Sequence, residues 1–223
     1  MPAYNESAVI GNVIADASKV FRSSPYDISI VVINDSSTDE TAKKAAQATV
    51  INHIINVGAG GATATGLRYA EQNGYDVAVT MDSDGQHDPK DALKGVNELI
   101  ASNLDLLIGS RLIDSEGMSR VKVLGNKGLS FITWIIFGIR STDSQSGLRV
   151  FSKHALDRLY WKTSGYEFAS EMLWRARQQR LKTGEFSIKA IYTDYSKSKG
   201  QSNWNAINII KSLIRRRIAE MFE

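Results

Sequence analysis

Val77-Ala78-Val79-Thr80-Met81-Asp82-Ser83-Asp84-Gly85-Gln86-His87-Asp88-Pro89 is the stretch on which the reading of the fold turns. The uncharged run from Val77 to Met81 is a short buried strand, and a polar cluster with two acids, Asp82 and Asp84, closes it. Pro89 then opens a helix over 89–101, at the first turn, where its missing N–H costs nothing.

The same rhythm continues on both sides. Upstream, strands are predicted at 27–33 and 50–55, each followed by a helix, at 37–47 and 61–73. Downstream, 104–108 is another strand. Strands alternating with helices predict an α/β fold with a mostly parallel sheet. Past Gly109 the rhythm loosens: a helix at 121–137, a strand at 147–152, a helix at 167–181, a strand at 185–193 and a final helix at 206–221. No linker separates the parts, so residues 1–205 read as one domain. A nucleotide-binding half covers about 1–110 and an acceptor half about 111–205, with 206–223 as a basic amphipathic helix.

Polar clusters stand at three predicted strand ends: 34–37, 56–61 and 82–87. In open parallel sheets ligands bind outside the carboxyl ends of strands, so three such clusters point to a site. Asp82 and Asp84, two residues apart at a strand end, can approach one hard cation, with Gln86 and His87 as further donors. The alternative is an acidic loop leading to a helix N-cap at Asp88. Gly58-Ala59-Gly60-Gly61 before a helix suits either a phosphate cradle or tight strand-to-helix packing, and it matches neither dinucleotide fingerprint nor P-loop.

Of the 223 residues 43% are hydrophobic and 23% charged, and none is cysteine, which excludes disulfides and thiolate metal sites. The net charge of +3 is uneven, because 189–217 holds seven cations against Asp194 alone. That implies an anionic partner or a solvated basic helix. In the tail, Ile207, Ile210, Ile214, Ile218 and Met221 recur at helical spacing between Lys211, Arg215 and Arg216. Such a helix can lie on an anionic membrane, pack on its own domain, or form a homo-oligomer contact. Without aromatic interleaving or a reading motif, the tail argues against nucleic acid. The start of the chain has neither a basic segment nor an apolar run, and the apolar stretch 129–139 is about half the length of a membrane span. The expected location is cytoplasmic, peripheral on a membrane's cytoplasmic face.

PAYNE (2–6), VVINDSSTDET (31–41), NVGAGGATATGLRYA (56–70), MDSDGQHDP (81–89), IGSR (108–111) and DSQSGLRVFS (143–152) together resemble glycosyltransferase family 2. The nearest branch holds dolichyl-phosphate mannose synthases and bacterial polyprenyl-phosphate glycosyltransferases, and the resemblance runs from residue 2 to about 205. It implies a GT-A nucleotide-diphospho-sugar transferase fold and metal-dependent, inverting transfer from a UDP- or GDP-sugar. The implied acceptor is a polyprenyl or dolichyl phosphate. A saccharide hydroxyl is the alternative acceptor, and a non-catalytic nucleotide-binding relative the alternative class.

By matching position, Pro2, Tyr4 and Glu6 would line the nucleotide site and Asp35 would hold the base. Asp82 and Ser83 would lie near the ribose and diphosphate, Asp84 and Gln86 would ligate Mg²⁺ or Mn²⁺ beside Asp82, and Arg111 would approach phosphate. A ligand role for His87 is then the weaker reading. Asp143 matches the acceptor-side acid: a general base for a hydroxyl, or an orienting group near Arg149 for a phosphate, whose second pKa near ~6 leaves it already ionised. Arg149, Arg120, Lys122, Lys197 and Lys199 are the expected acceptor-phosphate contacts.

Two departures from the family pattern stand out. Lys197-Ser198-Lys199-Gly200-Gln201-Ser202-Asn203 replaces an R-x-x-G-x-S-K segment, keeping charge but losing the bidentate fork. Family members also carry a hydrophobic strand just before PAYNE, whereas this chain starts at Met1-Pro2, so the first central strand is expected to be missing, by truncation or by supply from elsewhere.

Overall fold

The computed structural model describes residues 1–114, 120–189 and 191. In chain order the elements are β1 (Pro2–Ala3), α1 (Ile10–Phe21), β2 (Val31–Asn34), α2 (Thr41–Lys44), β3 (Thr49–Asn52), α3 (Gly58–Gln72), β4 (Val77–Thr80) and α4 (Pro89–Ala101). Then come β5 (Leu106–Ser110), α5 (Arg120–Phe137), β6 (Arg149–Ser152), α6 (Lys153–Leu156), α7 (Phe168–Gln178) and β7 (Thr183–Ser187).

The strands form a parallel three-stranded sheet, β1-β2-β3, and a four-stranded sheet, β4-β6-β5-β7. In the second, β5 and β7 are parallel while β6 runs antiparallel to both β4 and β5. This is a parallel-rich α/β architecture, as the GT-A expectation requires. The first strand is a two-residue stub paired to β2, and among the described residues β4 is laddered only to β6.

Successive residues of the central strands face two different clusters. Leu106 and Ile108 of β5 and Phe151 of β6 face a cluster with Leu67, Met172 and Leu173 of α3 and α7. Leu107 and Val150 face the opposite side, against Val96 and Leu99 of α4. The four-stranded sheet is thus covered on both faces. Alpha-helix α4 lies so close to it that a Cβ at Gly95 would stand 2.7 Å from the Phe186 ring. A smaller cluster, Ala3, Ile10, Ile14, Val32 and Ala45, seals the first sheet under α1.

Two helices have no counterpart in the predicted elements. Helix α1 buries Ile10, Ile14 and Ala17 at helical spacing but starts without a side-chain cap at Val9, so its usual opening mark is absent. Helix α6 is a single turn capped by Ser152. The predicted tail helix, 206–223, lies outside the described residues.

Candidate active site

The carboxyl end of β2 delivers Asp35, which is buried. Its Oδ1 accepts from Val57 N (2.9 Å) and its Oδ2 from Gly58 N (2.8 Å). His53 Nδ1 lies 2.8 Å from Oδ1, and His53 Nε2 is 3.0 Å from Thr65 Oγ1. Gly60 N donates to Ser164 O at 2.7 Å. Three of the donors at the start of α3 are therefore spent within the protein, and the glycines serve packing. A Cβ at Gly58, whose φ is +84°, would meet Ser164 O at 2.5 Å. On the facing rim Tyr4 is exposed, and the segment after β1 is pinned by Asn5 N to Ser37 Oγ (3.0 Å) and Glu6 N to Thr41 Oγ1 (2.7 Å).

The end of β4 carries the paired acids. Asp82 Oδ2 is 3.0 Å from Nε2 of the buried His87, whose Nδ1 has no hydrogen-bond partner. Asp84 accepts from Gln86 N at 3.0 Å and from the Gln86 side-chain amide. Burial opposes the Asp82 charge, but the hydrogen bond and charge of His87, with Arg111 beyond, hold its carboxyl below the usual range. Asp84 is pushed the other way, by burial and then by the Asp82 charge. Two crowded carboxylates with opposite shifts mark a place where added positive charge is favoured. Among the described residues no three His, Cys, Asp or Glu side chains converge as a ready cation site, so Asp84 and Gln86, with Asp82 beside them, are the oxygen donors at hand. Ser83 is turned away from this group: its Oγ donates to Pro2 O at 2.8 Å and ties the two sheets together.

The third wall comes from β5 and the approach to β6. Asp143 is fully buried, and Arg111 grips it with two side-chain bonds, Nε to Oδ2 at 2.6 Å and Nη2 to Oδ1 at 2.9 Å. Asp143 therefore pairs with Arg111 and not with Arg149. Arg149 is buried too, donating to the carbonyls of Ser144 (2.8 Å), Ser146 (3.0 Å) and Ala169 (3.1 Å). The phosphate contact expected of Arg149 is corrected by this burial: backbone carbonyls occupy the guanidinium, which braces the Asp143 loop. A Cβ at Gly147 would fall 2.3 Å from Asp82 Oδ1, so the loop presses directly on the first acid.

Asp82, Arg111, Asp143 and Arg149 thus share one electrostatic neighbourhood at the ends of β4, β5 and β6. Of the other expected phosphate contacts, Arg120 lies in the first turn of α5, before Lys122 in the same helix. Lys197 and Lys199 lie outside the described residues. Residue reading missed the bracing of Asp35 by His53 and of Asp82 by His87. The signal for both was modest: His53 follows β3 directly, and His87 lies five residues after Asp82.

The strand ends of the two sheets thus bring a pair of acids, an Arg–Asp couple and the braced Asp35 just past β2 to one side of the molecule. The profile described as Glycosyl transferase family 2 matches residues 1–160, and the chain belongs to that family. It is 36% identical, over all of this chain and 96% of the relative, to UDP-N-acetylglucosamine--dolichyl-phosphate N-acetylglucosaminyltransferase of Methanococcus voltae. Undecaprenyl-phosphate mannosyltransferase of Micrococcus luteus is 27% identical over 89% of this chain and 85% of its own length. Among solved structures, glucosyl-3-phosphoglycerate synthase of Mycobacterium tuberculosis, in complex with Mn²⁺, UDP-glucose and phosphoglyceric acid, superposes with a TM-score of 0.66 at 21% identity, over 95% of this chain and 77% of that one. That likeness carries the fold alone.

Proposed function

We propose that this glycosyltransferase moves a sugar, with inversion, from a UDP- or GDP-sugar to the phosphate of a polyprenyl or dolichyl phosphate. The observation that carries the reading is the Arg111–Asp143 couple at the strand ends beside Asp82. Both oxygens of Asp143 accept from one guanidinium, a poor arrangement for taking a proton from a hydroxyl. A phosphate acceptor arrives already ionised and needs no such base, only a site that orients it. The two named relatives that act on dolichyl or undecaprenyl phosphate support the same choice.

In this reading Asp35, braced by His53, faces the base, and Tyr4 and Glu6 border the nucleotide with Pro2. Asp84 and Gln86 hold a divalent cation, Mg²⁺ or Mn²⁺, close to Asp82. When bound, the cation absorbs negative charge growing on the leaving diphosphate. His87 keeps Asp82 fixed and ionised, and Gly147 leaves room for its carboxylate. Arg111 supplies the cationic surface that a phosphate approaches, while Arg149 stabilises the loop behind it.

The test is transfer from labelled UDP- and GDP-sugars to a short polyprenyl phosphate with Mn²⁺. The expected product partitions into organic solvent and releases its sugar in mild acid. Asp84→Asn should lower the rate by about 10²–10³-fold with little change in donor affinity. Label moving only to a saccharide acceptor, or an Asp84→Asn protein as fast as the parent, would reject the reading.

A further inference from the structure

Two of the side chains that helix α5 turns toward the protein are polar, Ser130 and Thr133, and both are buried. Ser130 Oγ accepts from Ser144 N at 3.0 Å and donates to Thr142 O at 3.2 Å, and Thr133 Oγ1 lies 3.0 Å from Ser170 Oγ. Its outward side is apolar, with Leu124 74%, Phe131 56%, Trp134 41% and Ile135 63% exposed. At about 100° per residue these four positions fall within an arc of roughly 100°, with the exposed Lys127 inside it. Helices on water-facing surfaces show the reverse arrangement, and an apolar stripe of this kind marks a surface that something covers.

The surroundings of the stripe indicate what covers it. Phe131 and Trp134 are neighbours, their ring centroids 5.7 Å apart, and the Arg140 guanidinium stands 5.9 Å from the Trp134 ring. Lys127 is exposed along the same side of the helix. Past the end of α5 a cavity of about 570 Å³ is lined by Arg140, Arg177 and Arg180. Glu185 also lines it, but its carboxylate turns inward and accepts from Ser141 Oγ (2.6 Å) and Thr142 N (2.8 Å). Aromatic and aliphatic side chains bordered by cations are the chemistry of a helix lying in the interface of an anionic bilayer. Among the described residues no helix is long and apolar enough to cross a membrane, so α5 would lie along it.

We propose that the outward face of α5 seats this protein on an anionic lipid bilayer, with Leu124, Phe131, Trp134 and Ile135 among the acyl chains and Arg140, Arg177 and Arg180 against the headgroup phosphates. This rests on the lipid-phosphate reading above and gives it a geometry. The polar inner face of α5 holds the 142–144 segment, so the membrane-facing helix and Asp143 share one scaffold. A lipid phosphate then approaches the acid from the plane in which its chain is embedded.

Flotation of the full-length protein with vesicles of phosphatidylcholine, alone or mixed with phosphatidylglycerol, tests it. The vesicles contain no polyprenyl phosphate, so this readout is separate from transfer, and failure of the acceptor assay would leave it standing. Binding should favour the phosphatidylglycerol vesicles, and the double substitution Phe131→Ser, Ile135→Ser should weaken it by about tenfold or more at an unchanged melting temperature. Arg140→Glu, at an exposed position, should weaken binding to the anionic vesicles independently. Equal binding to both vesicle types, or binding unchanged by either variant, overturns the proposal. So does a parent chain that ignores vesicles but dimerises through this face and becomes monomeric on Phe131→Ser, Ile135→Ser.

Discussion

Replacing Arg149 with methionine keeps most of its length but removes the buried donors to Ser144 O, Ser146 O and Ala169 O. Burial pushes the guanidinium pKa down to about 10 against the opposing pull of Asp143 and Asp82, so the group stays charged at neutral pH. Arg149→Met should therefore cost about 3 kcal/mol in urea unfolding, and activity should fall as the Asp143 loop loses its brace. The residue types at the strand ends were legible in the sequence: Asp35, Asp82 and Asp84 each follow an apolar run, where a parallel sheet opens its ligand crevice. The partners were not. Whether an arginine meets phosphate or carbonyl oxygen depends on its burial, and neither Arg149 nor the Arg111–Asp143 couple differs in spacing from the alternatives.

Among the elements, the stretch 104–110 shows how one side chain can hold several segments together. Asp105 Oδ2 accepts from Lys182 N (2.7 Å), while Oδ1 meets His154 Nδ1 (3.0 Å) and Ser152 Oγ (3.3 Å), so β5 is tied to β6, α6 and the start of β7. Burial opposes its charge, but these bonds together hold its carboxyl below the usual range. A carboxylate depressed in the folded state lends stability that is whole above its unfolded pKa near ~4 and is lost as pH falls through the lower folded value. Asp105→Asn should accordingly lower the melting temperature at neutral pH, and the gap from the parent should shrink progressively below pH ~4. The sequence marked α4 by Pro89 at its first turn, and the helix read at 121–137 is α5. It left α1 unseen for want of a cap. It was also silent on which side of α5 faces inward, because the period of a pattern is the same whichever face is buried.

Across the whole molecule the two sheets differ in their support. All five residues of β5 are buried between layers of helix, whereas β3 has exposed residues at both ends and the first sheet rests on the small cluster under α1. Amides of the β2–β3 ladder should exchange with solvent at least about tenfold faster than those of β5 and β6, measured by hydrogen exchange with mass spectrometry. If the donor bridges Asp35 and Asp82 as proposed above, adding a nucleotide-sugar should slow the faster set most. Within the second sheet, the register of β4 against β6, Thr80 opposite Arg149, sets Gly147 across from Asp82. Between those strands the chain passes through α4, adds β5 on the far side of β6, and comes back through α5. An excursion anchored at both ends can lengthen, shorten or change its surface while the anchors stay put. The α5 part of that excursion lies beyond both β5 and the acids that follow β4, so its outer surface can be recut while the ladder keeps its register.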